Sequence, residues 1–386
     1  MMQVLFYSVA FISLVFGSVY IFVVLKVSAG WKKIPVFEPV KQLPSTSVSV
    51  IIAARNEEKN ILRCLDSLVK QDYPTDLFEI IVVDDHSLDS TALLVQVAGA
   101  KSSNVKIKLF KAADLGSSPG GKKNALKVGI ANSSGKLIVA TDADCIMGNK
   151  WLSAISGFYE EHQPKMIIGP VAAYDETPGF GSLQSMELMA LMAFSGVFCQ
   201  KNKPIMSNGA NLAYERSAFT EVAGFDGIDH IASGDDVLLM DKFVQQFPGQ
   251  VKFLRSQAAI VRTKVQLTFG SFLHQRIRWA SKGMSNISAI SAIVAVLVGG
   301  INIVLFFNLL LSFFYGKFAV VFLAILVLKF IADHVLLSTV SVFFNKQIHT
   351  VNILVSQFFY SFSVVLILLL GIRKKYVWKD RIVYGK

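Results

Sequence analysis

The apolar positions of this chain fall into two regimes. Residues 4–25, 287–316 and 351–372 are long runs without a single charge, each long enough to cross about 30 Å of hydrocarbon as a helix. A further apolar segment, 318–344, is interrupted by Lys329, Asp333 and His334. Lys329 and Asp333 stand four apart on one helix face and are expected to pair inside the membrane, a structural pair between helices being the plainer reading. Residues 41–285 have another character. Val48–Ile52 is a β-branched run, followed by polar residues and then by Ile61, Leu62, Leu65, Leu68 and Val69 at helical spacing. Glu79–Val83 reads as a second strand ended by Asp84-Asp85, and Val105–Phe110 as a third, alternating with lysines. Leu126–Ala131 reads as the end of a helix, and Leu137–Thr141 as a strand stopped by Asp142. This alternation predicts an α/β block with a parallel sheet and helices on both faces, whose ligands bind beyond the carboxyl ends of the strands.

Only 17% of the 386 residues are charged, against about 25% in an ordinary soluble domain. The charge-free runs exclude a wholly soluble protein, and the polar 41–285 block excludes a pure multi-span transporter. The net charge is +11, but its location says more than its size. Residues 251–285 hold seven Lys or Arg and no acid, the tail 373–386 six against one, and 26–44 four against one. Those stretches carry +15 between them, so the remainder is net −4. Basic excess beside apolar segments is a membrane-proximal pattern, not the spread basic face of a nucleic-acid binder. The first run lacks a basic n-region and is followed by Lys26, Lys32 and Lys33. It therefore reads as a signal anchor with the N-terminus outside and the block inside. Three crossings after the block would leave the basic tail outside. Either one segment lies in the interface or re-enters, or the positive-inside rule fails here; three or four true crossings are expected. Cys64, Cys145 and Cys199 make neither a disulfide framework nor a metal spacing, which suits a reduced, cytosol-facing block.

The candidate chemistry sits at the predicted strand ends. Asp142-Ala143-Asp144 brings two carboxylates close together; they repel unless they spread into solvent or share a hard cation such as Mg²⁺ or Mn²⁺. Asp85 can accept a hydrogen bond from a nucleobase, while Ser87 and Asp89 suit the cap of a helix starting near Thr91. Gly234-Asp235-Asp236 opens a helical run, where acids either favour the helix dipole or supply a general base. Gln275, Arg278 and Trp279 share a helix face, as an interfacial anchor or as a diphosphate clamp. Lys122, after the flexible stretch 116–121, either neutralises phosphate or solvates a helix start. Asn208-Gly209-Ala210-Asn211 is a turn signal. There is no G-x-G-x-x-G after the first strand and no Walker A motif.

Taken in order, V-S-V-I-I-A-A-R-N-E-E (48–58), I-V-V-D-D-H-S-L-D-S-T (81–91), G-K-K-N-A-L-K-V-G-I (121–130), D-A-D (142–144), N-G-A-N-L-A-Y (208–214), G-D-D-x-x-L (234–239) and Q-R-I-R-W (275–279) resemble membrane-bound glycosyltransferase family 2. The resemblance implies a GT-A (Rossmann-like) mixed, mainly parallel sheet flanked by transmembrane helices, and inverting transfer from a nucleotide-diphosphate sugar. It implies that Ala53, Arg55 and Glu57 line the nucleotide pocket, that Asp85 holds the base, usually uracil, and that Lys122 sits near the phosphates. Asp142 would touch ribose or sugar, Asp144 the metal, and Gln275, Arg278 and Trp279 the donor diphosphate. Asp236 matches the catalytic base, with Asn208, Asn211 and Asp235 toward the acceptor. Two positions depart from the family pattern: Asp235 stands where Glu is common, and Lys127 where Asn is common.

The expected organisation is a transmembrane anchor at 1–30, a cytosolic GT-A catalytic domain at 41–265, an interfacial Q-x-x-R-W helix at 266–286, transmembrane helices at 287–372 and a basic tail at 373–386. The expected partners are a nucleotide-sugar donor, a lipid or glycan acceptor and a membrane, of the bacterial inner-membrane kind, and no nucleic acid. A processive polysaccharide synthase is the alternative; three C-terminal apolar segments are few for a secretion channel. A silent membrane scaffold would give the acids and Arg278 no reason to converge.

Overall fold

Three apolar runs form the centre of the main sheet: β1 (Val48–Ala54), β2 (Phe78–Asp84) and β4 (Leu137–Asp142). They are parallel neighbours, and their near-continuous hydrophobic sequence reflects burial on both faces. β3 (Lys106–Lys111) lies at the edge, where its lysines blunt further pairing. The full order is β3-β2-β1-β4-β8-β6-β9, with β8 (Leu212–Glu215) antiparallel to its neighbours β4 and β6 (Met166–Ile168), and β9 (Val251–Phe253) parallel to β6 at the far edge. A small second sheet joins β5 (Ile146–Met147), β10 (Val261–Lys264) and β7 (Val171–Tyr174). The computed structural model describes residues 2–39, 44–115, 121–174, 176–229, 231, 234–282, 288–371, 375–378 and 381–384. The stretch 116–120 before Lys122 and residues 283–286 of the expected interfacial segment lie outside these.

Helices α2 (Ile61–Val69), α3 (Thr91–Lys101), α4 (Gly121–Ala131), α5 (Trp151–His162), α7 (Arg216–Glu221) and α8 (Asp235–Gln246) belong to the block. Sheet order reverses between β1 and β4, so a crevice opens beyond their carboxyl ends. The register makes those ends level: Ala53 pairs with both Val83 and Asp142, and Ala54 with Asp84. At the opposite ends, Glu79 fastens three elements. Its Oε1 accepts from Ser49 Oγ and from Ser134 N and Oγ, each at 2.7 Å, and its Oε2 pairs with Lys108 at 2.7 Å.

Among the described residues, five helices are long and apolar enough to cross a membrane: α1 (Met2–Lys33), α6 (Phe180–Gln200), α10 (Ala289–Ser312), α11 (Lys317–Phe344) and α12 (Thr350–Gly371). α6 was not among the expected apolar segments, and both its ends are fastened to the block. Gln184 exchanges hydrogen bonds with the backbone of Gln266, and Cys199 Sγ donates to Val251 O of β9. It therefore runs inside the protein between the sheets and the other helices. α1 and α11 run parallel, with Phe6 against Phe318 at one end and Trp31 against Phe343 at the other. Arg255 fixes this bundle to the block, lying over the Trp31 ring at 4.9 Å and donating to Ile34 O at 2.6 Å. Beyond α12, the hairpin β11 (Lys375–Trp378) and β12 (Arg381–Tyr384) packs on α9 (Phe269–Lys282).

Candidate active site

The crevice at the ends of β1 and β4 opens into a cavity of about 1130 Å³. Ala53, Arg55, Glu57, Asp85, Lys122, Asp142, Asp144, Asn208, Asp235, Asp236, Gln275, Arg278 and Trp279 all line it. Thus Asp85, Asp144, Asp236 and Arg278, which are spread over nearly 200 residues of sequence, share one space.

Two side chains shape the end beside β2. Arg55 Nη1 donates to Asp85 O and His86 O at 2.7 and 2.8 Å, holding the turn after β2 against the end of β1. Asp85 is buried at the cavity edge, with His86 Nδ1 3.2 Å from its Oδ1. The cap position of α3 is Ser90, not Ser87 or Asp89 as expected: Asp89 accepts from Thr91 N in a turn just before the helix, and Ser87 Oγ accepts from Asn56 N.

The centre is a charge cluster. Lys122 Nζ, from the first turn of α4, donates to Asp142 Oδ1 at 2.6 Å and lies 3.3 Å from Asp235 Oδ2. Burial works to lower this ammonium, but the Asp142 and Asp235 carboxylates outweigh it and raise it, so Lys122 is charged. Gly209 explains the N-G-A-N turn. A Cβ there would sit 2.8 Å from Lys122 Nζ and 3.1 Å from Asp235 Oδ2, so only glycine leaves room for the cluster. Its N–H donates to Asp236 Oδ2 at 3.2 Å. Lys123, next along α4, is buried and donates to Ile228 O and Ile231 O, tying down the segment before α8. Nothing but its place in G-K-K-N marked it in the sequence.

The residues present fit a divalent cation. The ligand atoms of Asp142, Asp144 and Cys145 lie within 4.8 Å of one another. Burial and then the Asp144 and Asp142 charges push the Cys145 thiol well up, so it stays protonated and the oxygen donors remain. Burial, and next the Asp142 charge, raise the Asp144 carboxyl. Two hard carboxylates in that position suit Mg²⁺ or Mn²⁺.

The expectation that Asn211 faces the acceptor is corrected. Its Nδ2 donates to Pro170 O and Ala259 O, each at 2.8 Å, and its Oδ1 accepts from Trp151 Nε1 at 3.1 Å. It is buried and joins three segments, and a Cβ on Gly169 would meet it at 2.3 Å. Asp235, by contrast, lines the cavity, 3.3 Å from Lys122 Nζ. Asn208 does face the cavity, its Oδ1 accepting from Ala210 N. Lys127, the other departure from the family pattern, pairs with Asp226 at the surface.

On α9, Gln275, Arg278 and Trp279 line the cavity as the spacing predicts, but Arg276 organises them. Its guanidinium grips Glu187 of α6 at 2.6–3.1 Å and stacks over Phe272 and Trp279, 4.5 and 4.2 Å from their centroids. It also donates to Gln275 Oε1. The sequence carried one signal for this: Glu187 is the single acid in the apolar stretch that became α6.

A mainly parallel α/β sheet with paired acids at its switch point and apolar helices around it defines a protein of the GT-A fold class. Residues 49–223 match "Glycosyl transferase family 2" and residues 137–371 match "Glycosyl transferase family group 2". The chain belongs to this glycosyltransferase family. It is 30% identical over 250 residues to "Probable glycosyltransferase YdaM" of Bacillus subtilis, covering 63% of this chain and 56% of that protein. It is 30% identical over 148 residues to "Beta-monoglucosyldiacylglycerol synthase" of Synechocystis, covering 38% of this chain and 27% of that protein. The chain thus spans about half the length, or less, of these relatives. Among solved structures, the mannosyltransferase PcManGT of Pyrobaculum calidifontis, in complex with GDP-Man and Mn²⁺, superposes with a TM-score of 0.61 at 17% identity. That match covers 95% of this chain and 98% of that one, and shows a shared fold.

Proposed function

We propose that this protein is an inverting glycosyltransferase. It moves a sugar from a nucleotide-diphosphate sugar, a UDP-sugar by the family resemblance, to a hydroxyl of a lipid or lipid-linked acceptor at the cytosolic face of a membrane. The observation that carries this is the single cavity that holds the strand-end acids and continues between α10, α11 and α12. The lipid acceptor draws support from the name of the Synechocystis relative. The cytosolic face draws support from the basic excess of 26–44 and 251–285 beside the membrane helices.

The donor base lies against Asp85, and the diphosphate runs from Lys122 toward Arg278. Guanidinium and ammonium groups there stabilise the charge that grows on the leaving nucleoside diphosphate. Asp142 and Asp144 would hold a divalent cation there, which would supply further neutralisation of that charge. Asp236, in the first turn of α8 and held by the Gly209 N–H, takes the proton of the acceptor hydroxyl. The new bond forms between the acceptor oxygen and the anomeric carbon as the bond to the diphosphate oxygen breaks on the opposite face. The configuration inverts, and the proton rests on Asp236.

The test is a panel of nucleotide sugars given to the purified protein with membrane lipid extract, following nucleoside diphosphate release with and without EDTA and the size of the product. Single-sugar transfer that EDTA stops is expected. A ladder of oligomers refutes the single-transfer reading in favour of a polymer synthase, and no release from any donor refutes glycosyl transfer.

A further inference from the structure

The catalytic cavity does not end at the block. It continues between the apolar helices to Tyr20, Asn302, Lys329, Asp333 and Ser356. There, Lys329 Nζ donates to Asp333 Oδ2 and Gln357 Oε1, each at 2.8 Å, and the Tyr20 hydroxyl donates to Asp333 Oδ1 at 2.6 Å. Lys329 and Gln357 are fully enclosed. A pair that only locked helices together would need no wall in common with the reacting groups, since ionised groups in a low-dielectric bundle are satisfied by pairing with one another. This pair instead walls the same space as the catalytic acids.

Three features define what fits beside it. First, charges along this end are closed in pairs, Lys329 with Asp333 and Arg276 with Glu187, so a phosphate would have to break a pair to be neutralised. Second, the Lys329 ammonium, held by Asp333 and Gln357 and 5.8 Å from the centroid of the Tyr20 ring, lines the cavity as a donor group. Third, Tyr20 precedes Lys26 by six residues, about 9 Å along α1, which sets the cluster just beneath the membrane surface. That is the level of the ester oxygens of a lipid drawn head-first toward the block. Nearer the acids, Ser207 Oγ is buried without a hydrogen-bond partner on the cavity wall beside Asn208, an open polar group for a hydroxyl.

We propose that Lys329 and Asp333, with Gln357 buried behind them, form the binding site for the neutral, ester-bearing end of the acceptor lipid, a non-phosphorylated glycerolipid with a free hydroxyl. This rests on the glycosyl-transfer reading above.

The test uses the full-length protein in phosphatidylcholine vesicles doped with 1,2-dioleoylglycerol, with phosphatidylglycerol or with a polyprenyl phosphate, or given free glycerol. The donor is whichever nucleotide sugar the protein hydrolyses. Transfer to dioleoylglycerol at least tenfold above the other arms is expected. Lys329→Met is expected to raise the apparent KM for dioleoylglycerol tenfold or more, a larger change than in kcat. Asp333→Asn, which keeps the shape and leaves the ammonium unpaired, is expected to shift preference toward phosphatidylglycerol at least fivefold. A purely structural pair would not move that preference. Equal or better transfer to the phosphorylated lipids or to free glycerol by the wild type overturns the inference. So does a wild-type acceptor profile in a folded Asp333→Asn protein. If no donor releases nucleoside diphosphate even to water, the glycosyl-transfer reading falls and takes the inference with it.

Discussion

Gly209→Ala adds one methyl group at the centre of the charge cluster. The new Cβ would sit 2.8 Å from Lys122 Nζ, inside any real carbon contact, and 3.1 Å from Asp235 Oδ2. The backbone at this position is held by the hydrogen bond to Asp236, so the flexible lysine yields first. Its displacement costs the 2.6 Å bond to Asp142. A charge-assisted bond is worth about 1.5–3 kcal/mol, and the low end applies because the Asp142 side chain is 38% exposed. Roughly 1.4 kcal/mol is tenfold in an equilibrium, so donor KM is expected to rise about tenfold with the fold intact. Steady-state release of nucleoside diphosphate measures it, and circular dichroism checks the fold. The decisive comparison is a double-mutant cycle with Lys122→Ala. Once the lysine is truncated only the milder 3.1 Å approach to Asp235 Oδ2 remains, so Gly209→Ala should then add less than twofold. Full additivity of the two effects refutes the account of Gly209 as the space reserved for Lys122.

Asp236→Asn keeps the size of the side chain and removes the base; kcat for transfer is expected to fall about 10²–10⁴-fold with donor binding, measured by calorimetry, within threefold of wild type. Glu79 reports on stability far from the site. Burial pushes its carboxyl up, yet the bonds from Lys108, Ser134 and Ser49 prevail and hold it down at about 2. A depressed carboxyl contributes stability above its unfolded value of about 4.3 and loses it as pH falls through the folded value. Glu79→Gln is therefore expected to cost roughly 2–3 kcal/mol at pH 7 and to converge with wild type near pH 2 in denaturant titrations; a constant difference across that window contradicts the assignment. A cysteine introduced as Gly385→Cys is expected to react with a membrane-impermeant maleimide in inside-out vesicles and not in right-side-out ones, since the tail hairpin packs on α9. The reverse pattern would put the tail across the membrane from the block.

The parts of the fold that the sequence predicted are those in which one local pattern decides. Central strands buried on both faces read as unbroken apolar runs, and β1, β2 and β4 appear where those runs stood; the edge strand β3 is offset by a single residue from its lysine alternation. The C-terminal helices follow the charge-free segments for the same reason. α6 escaped notice because its mixed sequence meets two environments, the sheets on one side and apolar helices on the other. For the site, residue type indicated chemistry but not direction. Asn208 and Asn211 are alike in sequence, three apart in one turn. Only the chain path shows that one faces the cavity and the other is spent on Pro170, Ala259 and Trp151. Arg276 and Arg278 pose the same problem on a helix: both line the cavity, and Arg276, beside the recognised motif positions, is the one that grips Glu187.

The basic tail sets a constraint on the three apolar segments after the block. Three full crossings would carry residues 373–386 and their six basic side chains to the side away from the block. β11 rests on α9, which is continuous with the block through β10, and an odd number of segments can return the chain to its starting side only if one of them does not cross. α12 itself joins the other helices at the cavity: it meets α11 at Lys329 and Asp333, α10 at Asn302, α6 at Leu183 and α9 at Phe272 within the five residues from Gln357 to Ser361. This turn brings Gln357 to the Lys329–Asp333 pair and Tyr360 to Leu183 and Glu187. Through Ser356, Tyr360 and Val364, α12 thereby also supplies wall to the cavity.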